Sequence, residues 1–177
     1  MNDSSKAVIL VGHGGLPSDI PSEVVEKFMR VHKGRIKSGG PITEHEIQLD
    51  TSIRKWKRTP ENDPYKTGLE SLASHMEPML EGYILKTAYN EFCYPGIEDA
   101  VDELSKKNVK KIVLVTTMIT RGGSHSENEI PEELSDISIK YPSIDIQYAW
   151  PYDIDIFASF LAAHIKEFNP IGTVKTN

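Results

Sequence analysis

The stretch VILVGHGG, Val8 to Gly15, decides the fold. Val8 to Val11 is continuously apolar and rich in β-branched residues, the pattern of a buried parallel strand; a half-exposed strand would alternate. The run stops at a histidine held between glycines. Gly12, Gly14 and Gly15 permit a sharp turn and leave the His13 imidazole uncrowded. A group able to bind a metal or accept a proton therefore stands at the carboxyl end of a strand. In open α/β sheets that edge is where ligands bind.

Outward from this point, strand and helix patterns alternate. Ala7 to Val11 is the first strand, and the segment from about Ser22 to His32 reads as a helix with Val24, Val25, Phe28, Met29 and His32 on one face. From Lys33 to Pro64 no period is sustained. Gly34, Gly39, Gly40, Pro41, Pro60 and Pro64 punctuate it, so the region at about 33–64 reads as an insertion or mobile flap; ~30 residues without regular structure inside a compact domain are unusual and often functional. Leu69, Leu72, Ala73, Met76 and Leu80 restore a helical stripe that Gly82 ends. Tyr83 to Ala88 is the second strand, a helix runs from Pro95 to about Lys107, and Lys111 to Thr117 is the third strand. The glycine-rich loop TRGGSHSENE then precedes a helix from about Pro131 to Tyr141, a strand over Ile144 to Tyr148 and a closing amphipathic helix over Asp153 to Phe168. Short strands separated by helices predict a parallel sheet covered on both faces. The expected organisation is one domain over 1–170, followed by a disordered tail at 171–177.

Composition narrows the function classes. A chain of 177 residues with 38% hydrophobic and 26% charged residues is ordinary for a soluble globular domain. The net charge of −6 argues against a general nucleic-acid binder, though not against one local basic site. Cys93 is the single cysteine, so no internal disulfide can form, and an isolated cysteine is more often a buried apolar group than a reactive thiol. MNDSSK lacks the apolar core of a signal peptide and no apolar run is long enough to span a bilayer, which gives a cytoplasmic expectation with no membrane partner.

Three residues share one structural situation. His13 follows the first strand, Glu91 stands just beyond the second in AYNEF, and His125 follows the third in RGGSH. On neighbouring strands all three reach the same sheet edge, where two imidazoles and a carboxylate suit a borderline divalent cation or a proton-accepting role. The plainer reading is that the glycines only make turns and Glu91 is a solvated loop acid. Phosphate chemistry is a poor rival, since GHGG has neither the GxxxxGK[ST] of a P-loop nor the spacing of GxGxxG. A histidine phosphatase would want arginine beside the histidine, and the GxSxG nucleophile elbow is absent.

VILVGHGG, AYNEFCYPGIEDAVDEL, KKIVLVTTMITRGGSHSENEIPEEL and KYPSIDIQYAWPYDID together resemble the class II chelatases of the CbiX/SirB type, the sirohydrochlorin cobalto- and ferrochelatases. The resemblance implies a flavodoxin-like chelatase fold and insertion of Co²⁺, Fe²⁺ or Ni²⁺ into a tetrapyrrole, in cobalamin or sirohaem biosynthesis, with no permanent cofactor. It sets the family's two histidines on His13 and His125 and its glutamate on Glu91. His13 and His125 are then the metal ligands, with Glu91 as third ligand or base. A single GHG motif matches the short family form, which assembles as homodimers. Two departures stand out: the extra residues at about Lys33 to His75, and the absence of a second fused half. A non-enzymatic metal or tetrapyrrole carrier on the same fold is the alternative.

The insertion carries RKWKR, in which Arg54, Lys55, Lys57 and Arg58 surround Trp56 in an otherwise acidic chain. Sirohydrochlorin, the substrate the resemblance implies, is a flat macrocycle with many carboxylates. Guanidinium groups pair with carboxylates bidentately and tryptophan offers a flat apolar face. These five residues, with Gly14 and Gly15, are the expected substrate contacts; the bland alternative is a solvated charged loop. His45 is a conceivable extra ligand, and His32, His75 and His164 read as peripheral.

Overall fold

The computed structural model describes residues 5–168. The tail expected at 171–177 lies outside them. Four parallel strands form one sheet: β1 (Lys6–Gly12), β2 (Ile84–Tyr89), β3 (Lys111–Thr116) and β4 (Asp145–Tyr148), in the order β2-β1-β3-β4. Six helices flank it: α1 (Ser22–Ser38), α2 (Glu44–Arg54), α3 (Pro64–Met76), α4 (Ile97–Lys106), α5 (Ile130–Lys140) and α6 (Ile154–Glu167). The fold is the expected α/β sheet with helices on both faces. Chain order reverses at β1, whose neighbours are β2 on one side and β3 on the other. Such a reversal opens a crevice at the carboxyl edge.

The two-residue period of β1 divides the core. Ala7, Ile9 and Val11 face α4 and α5, packing with Val101, Leu104 and Ile137 among others, while Leu10 packs with Leu69 and Ala73 of α3. The first face is closed. On the second, α3 covers only part of the sheet, and Val113 and Val115 of β3 are half-buried.

The stretch expected to be irregular is largely helical, which corrects the expectation for 33–64. Nothing lies within 4 Å of a Cβ built on Gly34, and α1 runs through it to end at Gly39 in the left-handed conformation, φ 66°. A glycine inside a helix costs only about 1 kcal/mol relative to alanine, so it weakens the pattern without ending it. Thr43 caps α2 by accepting the Glu46 N–H. The two helices are joined through a buried charge. Glu46, 1% exposed, accepts from Arg35 Nε at 2.8 Å and lies 2.8 Å from His32 Nδ1.

Burial works against ionisation of Glu46, but the hydrogen bonds from Arg35 and His32 and their charges outweigh it and hold the carboxyl below its ordinary value. A carboxyl with a depressed folded pKa adds stability that is present above the unfolded value and is lost as pH falls through the folded one. Glu46→Gln is therefore expected to destabilise the protein at neutral pH by roughly 3 kcal/mol, the low end for a broken buried pair because Arg35 is partly exposed. Urea unfolding at pH 7 and at strongly acid pH tests this: the gap between variant and wild type should narrow in acid.

Candidate metal centre

Strand β1 ends at Gly12, and the backbone turns at once. Gly14 sits at φ 93°, and a Cβ built there would lie 1.9 Å from the Glu91 carbonyl oxygen. Only glycine fits that approach. It lets the turn after β1 lie against the turn after β2, where the N–H groups of Asn90 and Glu91 donate to the carbonyls of Gly12 and His13 at 2.9 and 2.8 Å. The sequence expectation of an uncrowded turn is thus sharpened into a backbone contact that no side chain could share. Tyr65, near the start of α3, accepts the His13 N–H on its hydroxyl at 2.7 Å.

His125 is not on a loose loop, as its glycine-rich surroundings suggested. It opens a π-helical turn, His125–Glu129, that runs directly into α5. Ile130 N–H reaches back to the His125 carbonyl, and the next residue, Pro131, has no N–H to offer a regular ladder. Tyr148 of β4 donates its hydroxyl to the Ser126 carbonyl at 3.0 Å and fixes this turn from below. Burial pushes that phenol up to about 12.

These turns bring His13, Glu91 and His125 together. One ligand atom from each lies within 4.8 Å of the others, and all three side chains are half-buried. His13 Nε2 is 3.6 Å from Glu91 Oε2, and the two imidazoles meet edge to face with centroids 4.8 Å apart. An ion held at about 2.1 Å from nitrogen and oxygen donors needs them at roughly this spacing, after small side-chain adjustments. His13 Nδ1 is 2.8 Å from the Gly14 carbonyl and His125 Nδ1 is 2.8 Å from Glu129 Oε2, so each ring is anchored at Nδ1. Burial opposes ionisation of Glu129, yet the His125 contact and Asn90 hold its carboxyl below the ordinary value. Two imidazoles and a carboxylate suit Fe²⁺, Co²⁺, Ni²⁺ or Zn²⁺ and leave coordination positions for a substrate.

The cation cluster divides. Arg58 is buried: it donates to the Asp63 carboxylate at 2.6 Å, to the Gly15 carbonyl at 2.7 Å and to the Ile53 carbonyl at 3.2 Å, and also to the Phe92 carbonyl. Arg54 pairs with Asp50 at 2.7 Å and donates to the carbonyls of Asn90 and Cys93. Both guanidinium groups hydrogen-bond to protein groups in this structure. Lys55 and Lys57 are exposed, and Trp56 is half-buried with its Nε1 donating to Asp19 at 3.0 Å. Beside Glu91, α1 and α2 enclose a cavity of about 230 Å³ whose lining includes Phe28, His32, Arg35, Arg54 and Phe92. His45 is exposed on α2 and takes no part in the triad.

Sequence reasoning found the triad and missed its supports. Asp63 was legible as a helix start, immediately before Pro64 and with its side chain now seen to cap Lys66 N–H at 2.9 Å. Glu129 was legible from its four-residue spacing to His125.

Arg58→Ala should cost about 3–5 kcal/mol, because it leaves Asp63 buried without its partner. Lys57→Ala, a few residues away and exposed, should leave stability within about 0.5 kcal/mol of wild type. Thermal or urea unfolding of the two variants side by side checks the contrast; equal effects would contradict the division of the cluster.

Comparisons with known proteins agree with this geometry. The CbiX family model matches residues 61–166, more than half of the chain. A sirohydrochlorin ferrochelatase from Priestia megaterium is 24% identical over 87 residues, which cover 49% of this chain and 32% of that protein. Three solved structures share the fold. SirB from Bacillus subtilis subspecies spizizenii in complex with cobalt has a TM-score of 0.53 at 17% identity, over 92% of this chain and 50% of that one. SirB from Bacillus subtilis with Fe³⁺ has a TM-score of 0.57 at 16% identity, over 94% of this chain and 48% of that one. A CbiX protein of Marinobacter aquaeolei VT8 described as a putative cobalamin biosynthesis protein has a TM-score of 0.55 at 14% identity, over 94% and 99% respectively. The chain thus spans about half the length of the two SirB chains and a third of the ferrochelatase. With two imidazoles and a carboxylate gathered at the switch point of its sheet, this chain belongs to the CbiX family.

Proposed function

We propose that the chain inserts a divalent metal into sirohydrochlorin or a closely related carboxylated tetrapyrrole. The observation that carries this is the convergence of His13, Glu91 and His125, from three adjacent strand ends, to within 4.8 Å. The relatives described as a sirohydrochlorin ferrochelatase and as a sirohydrochlorin chelatase in complex with cobalt support the substrate class. Insertion exchanges one M²⁺ for two pyrrolic protons, so the site must strip water from the ion and receive protons. Neutral imidazoles replace water on the metal, and a carboxylate or a released imidazole takes the protons. His13 and His125 act as ligands and Glu91 as third ligand or base. Imidazole and carboxylate accept Co²⁺, Fe²⁺ and Ni²⁺ alike, and the metal substrate is one of these.

Gly14 and Gly15 bring the backbone close to the bound macrocycle. Of the cation cluster, Lys55 and Lys57 beside Trp56 attract its carboxylates, each contributing on the order of 1 kcal/mol or less.

The working unit is a homodimer. Helix α6, IDIFASFLAAHIKE, is apolar around most of its circumference, yet none of its residues is buried. Ile154, Ile156, Phe160 and Ile165 are 71, 72, 60 and 57% exposed. A helix of that composition is ordinarily covered. A second copy docked along α6 covers this apolar surface.

Incubation with sirohydrochlorin and Co²⁺, Fe²⁺ or Ni²⁺, followed by absorption spectroscopy, should show multiple turnovers with at least one metal. His13→Ala and His125→Ala should remove most of the activity and leave the circular dichroism spectrum unchanged, since both side chains lie outside the core. Stoichiometric binding without turnover would identify a carrier instead. Light scattering should give twice the chain mass at micromolar concentration, and Phe160→Asp should shift it toward the monomer. A monomeric wild type would refute the dimer.

A further inference from the structure

A neutral imidazole has one lone pair to give a metal, and the nitrogen that carries the proton decides which one it is. For His13 the Gly14 carbonyl settles this, since at 2.8 Å it accepts a hydrogen from Nδ1 and leaves Nε2 free. His125 has no carbonyl in that position. Its Nδ1 lies 2.8 Å from Glu129 Oε2, one turn further along the same π-helical segment. Asn90 Nδ2 lies 3.4 Å from the same Glu129 oxygen and 3.1 Å from His125 Nδ1. Asn90 precedes Glu91, so this amide links the carboxylate behind one ligand to the turn that carries another.

The contacts allow two protonation patterns. If Nδ1 accepted from Asn90, the ring proton would sit on Nε2, and that nitrogen could not ligate. If Nδ1–H donates to Glu129, Nε2 keeps its lone pair and the Asn90 amide donates to the carboxylate. The carboxylate is the closer partner, and holding an anion opposite Nδ1 favours the second pattern.

We propose that Glu129, steadied by Asn90, is the positioning residue for His125, fixing the Nδ1–H tautomer and ring orientation so that Nε2 is the metal ligand. The proposal rests on the metal-binding reading of the triad. A carboxylate behind a ligating histidine raises its basicity and limits its rotation, and losing one typically costs 10–100-fold in metal affinity.

The test uses the full chain with Co²⁺ alone, titrated by absorption, so that no tetrapyrrole chemistry intervenes. Glu129→Ala should weaken Co²⁺ binding by about tenfold or more. Glu127→Gln, altering a neighbouring carboxylate paired with Arg121, should bind as wild type. Nitrogen-15 NMR of the metal-free protein, at about pH 8 where an ordinary imidazole is neutral, should report His125 as the Nδ1–H tautomer. In Glu129→Ala it should shift toward the Nε2–H form, a change that a merely structural role would not produce. Wild-type His125 found as Nε2–H overturns the proposal whatever the variants do. So does a Glu129→Ala variant within twofold of wild type when His125→Ala binds much more weakly. If His13→Ala and His125→Ala both bind Co²⁺ as wild type does, the metal-binding reading falls first and takes this proposal with it.

Discussion

The pairing of Arg58 with Asp63 organises the carboxyl edge of the sheet. Both side chains are almost fully buried, at 7 and 2% exposed. An isolated ion pair at that depth gains little over an apolar replacement, because desolvation offsets the attraction. Here the guanidinium also satisfies carbonyls from three separate segments: Gly15 after β1, Ile53 near the end of α2, and Phe92 after β2. Asp63 meanwhile caps α3, whose Tyr65 holds the backbone of His13. One charged group thus connects the turns bearing two of the three side chains of the triad. Phe92, next to Glu91, adopts a left-handed backbone at φ 57°. A non-glycine residue persists there only when its surroundings over-determine it. The Arg58 contact to the Phe92 carbonyl is one such constraint.

With those turns pinned, sheet topology does the rest. His13, Glu91 and His125 share one edge because the three strands they follow are adjacent and parallel, with Gly12 opposite Tyr89 and Val11 opposite Thr116. The histidines then differ in what stands behind them: a backbone carbonyl for His13, a side-chain carboxylate for His125. The first partner belongs to the turn itself, whereas the second is a side chain that a single substitution removes.

The legible parts of the sequence were those where an apolar run ends at a chemically marked residue. Val8 to His13 and Lys111 to His125 gave the strands, the parallel sheet and two of the site residues. The region between α1 and α3 was harder for a physical reason. Helix α2 buries Glu46 and Ile53 where an ordinary amphipathic helix would bury several aliphatic residues. Hydrophobic periodicity does not register a buried carboxylate. The signal that remained was Thr43 three residues before Glu46, a capping pattern that competes poorly with Gly39, Gly40 and Pro41 just ahead of it. The burial of Arg58 was not legible because a run of cations resembles a solvated surface. Its partner lies only five residues on, but nothing in the order of residues says that the segment between them folds inward.

Helix α6 raises the opposite problem: the helix expected over Asp153 to Phe168 is present, but the apolar face expected of an amphipathic helix is not buried among the described residues. Most of its residues are apolar, and no core among the described residues receives them. The second sheet face is likewise incomplete, with Val113 and Val115 only half-covered. Apolar burial is worth about 25 cal/mol per Å², so two unfinished surfaces on one small domain represent free energy that folding alone leaves unrealised. Uncovered apolar area along α6 and over β3 is thus the feature of the described residues on which the dimer proposed above rests.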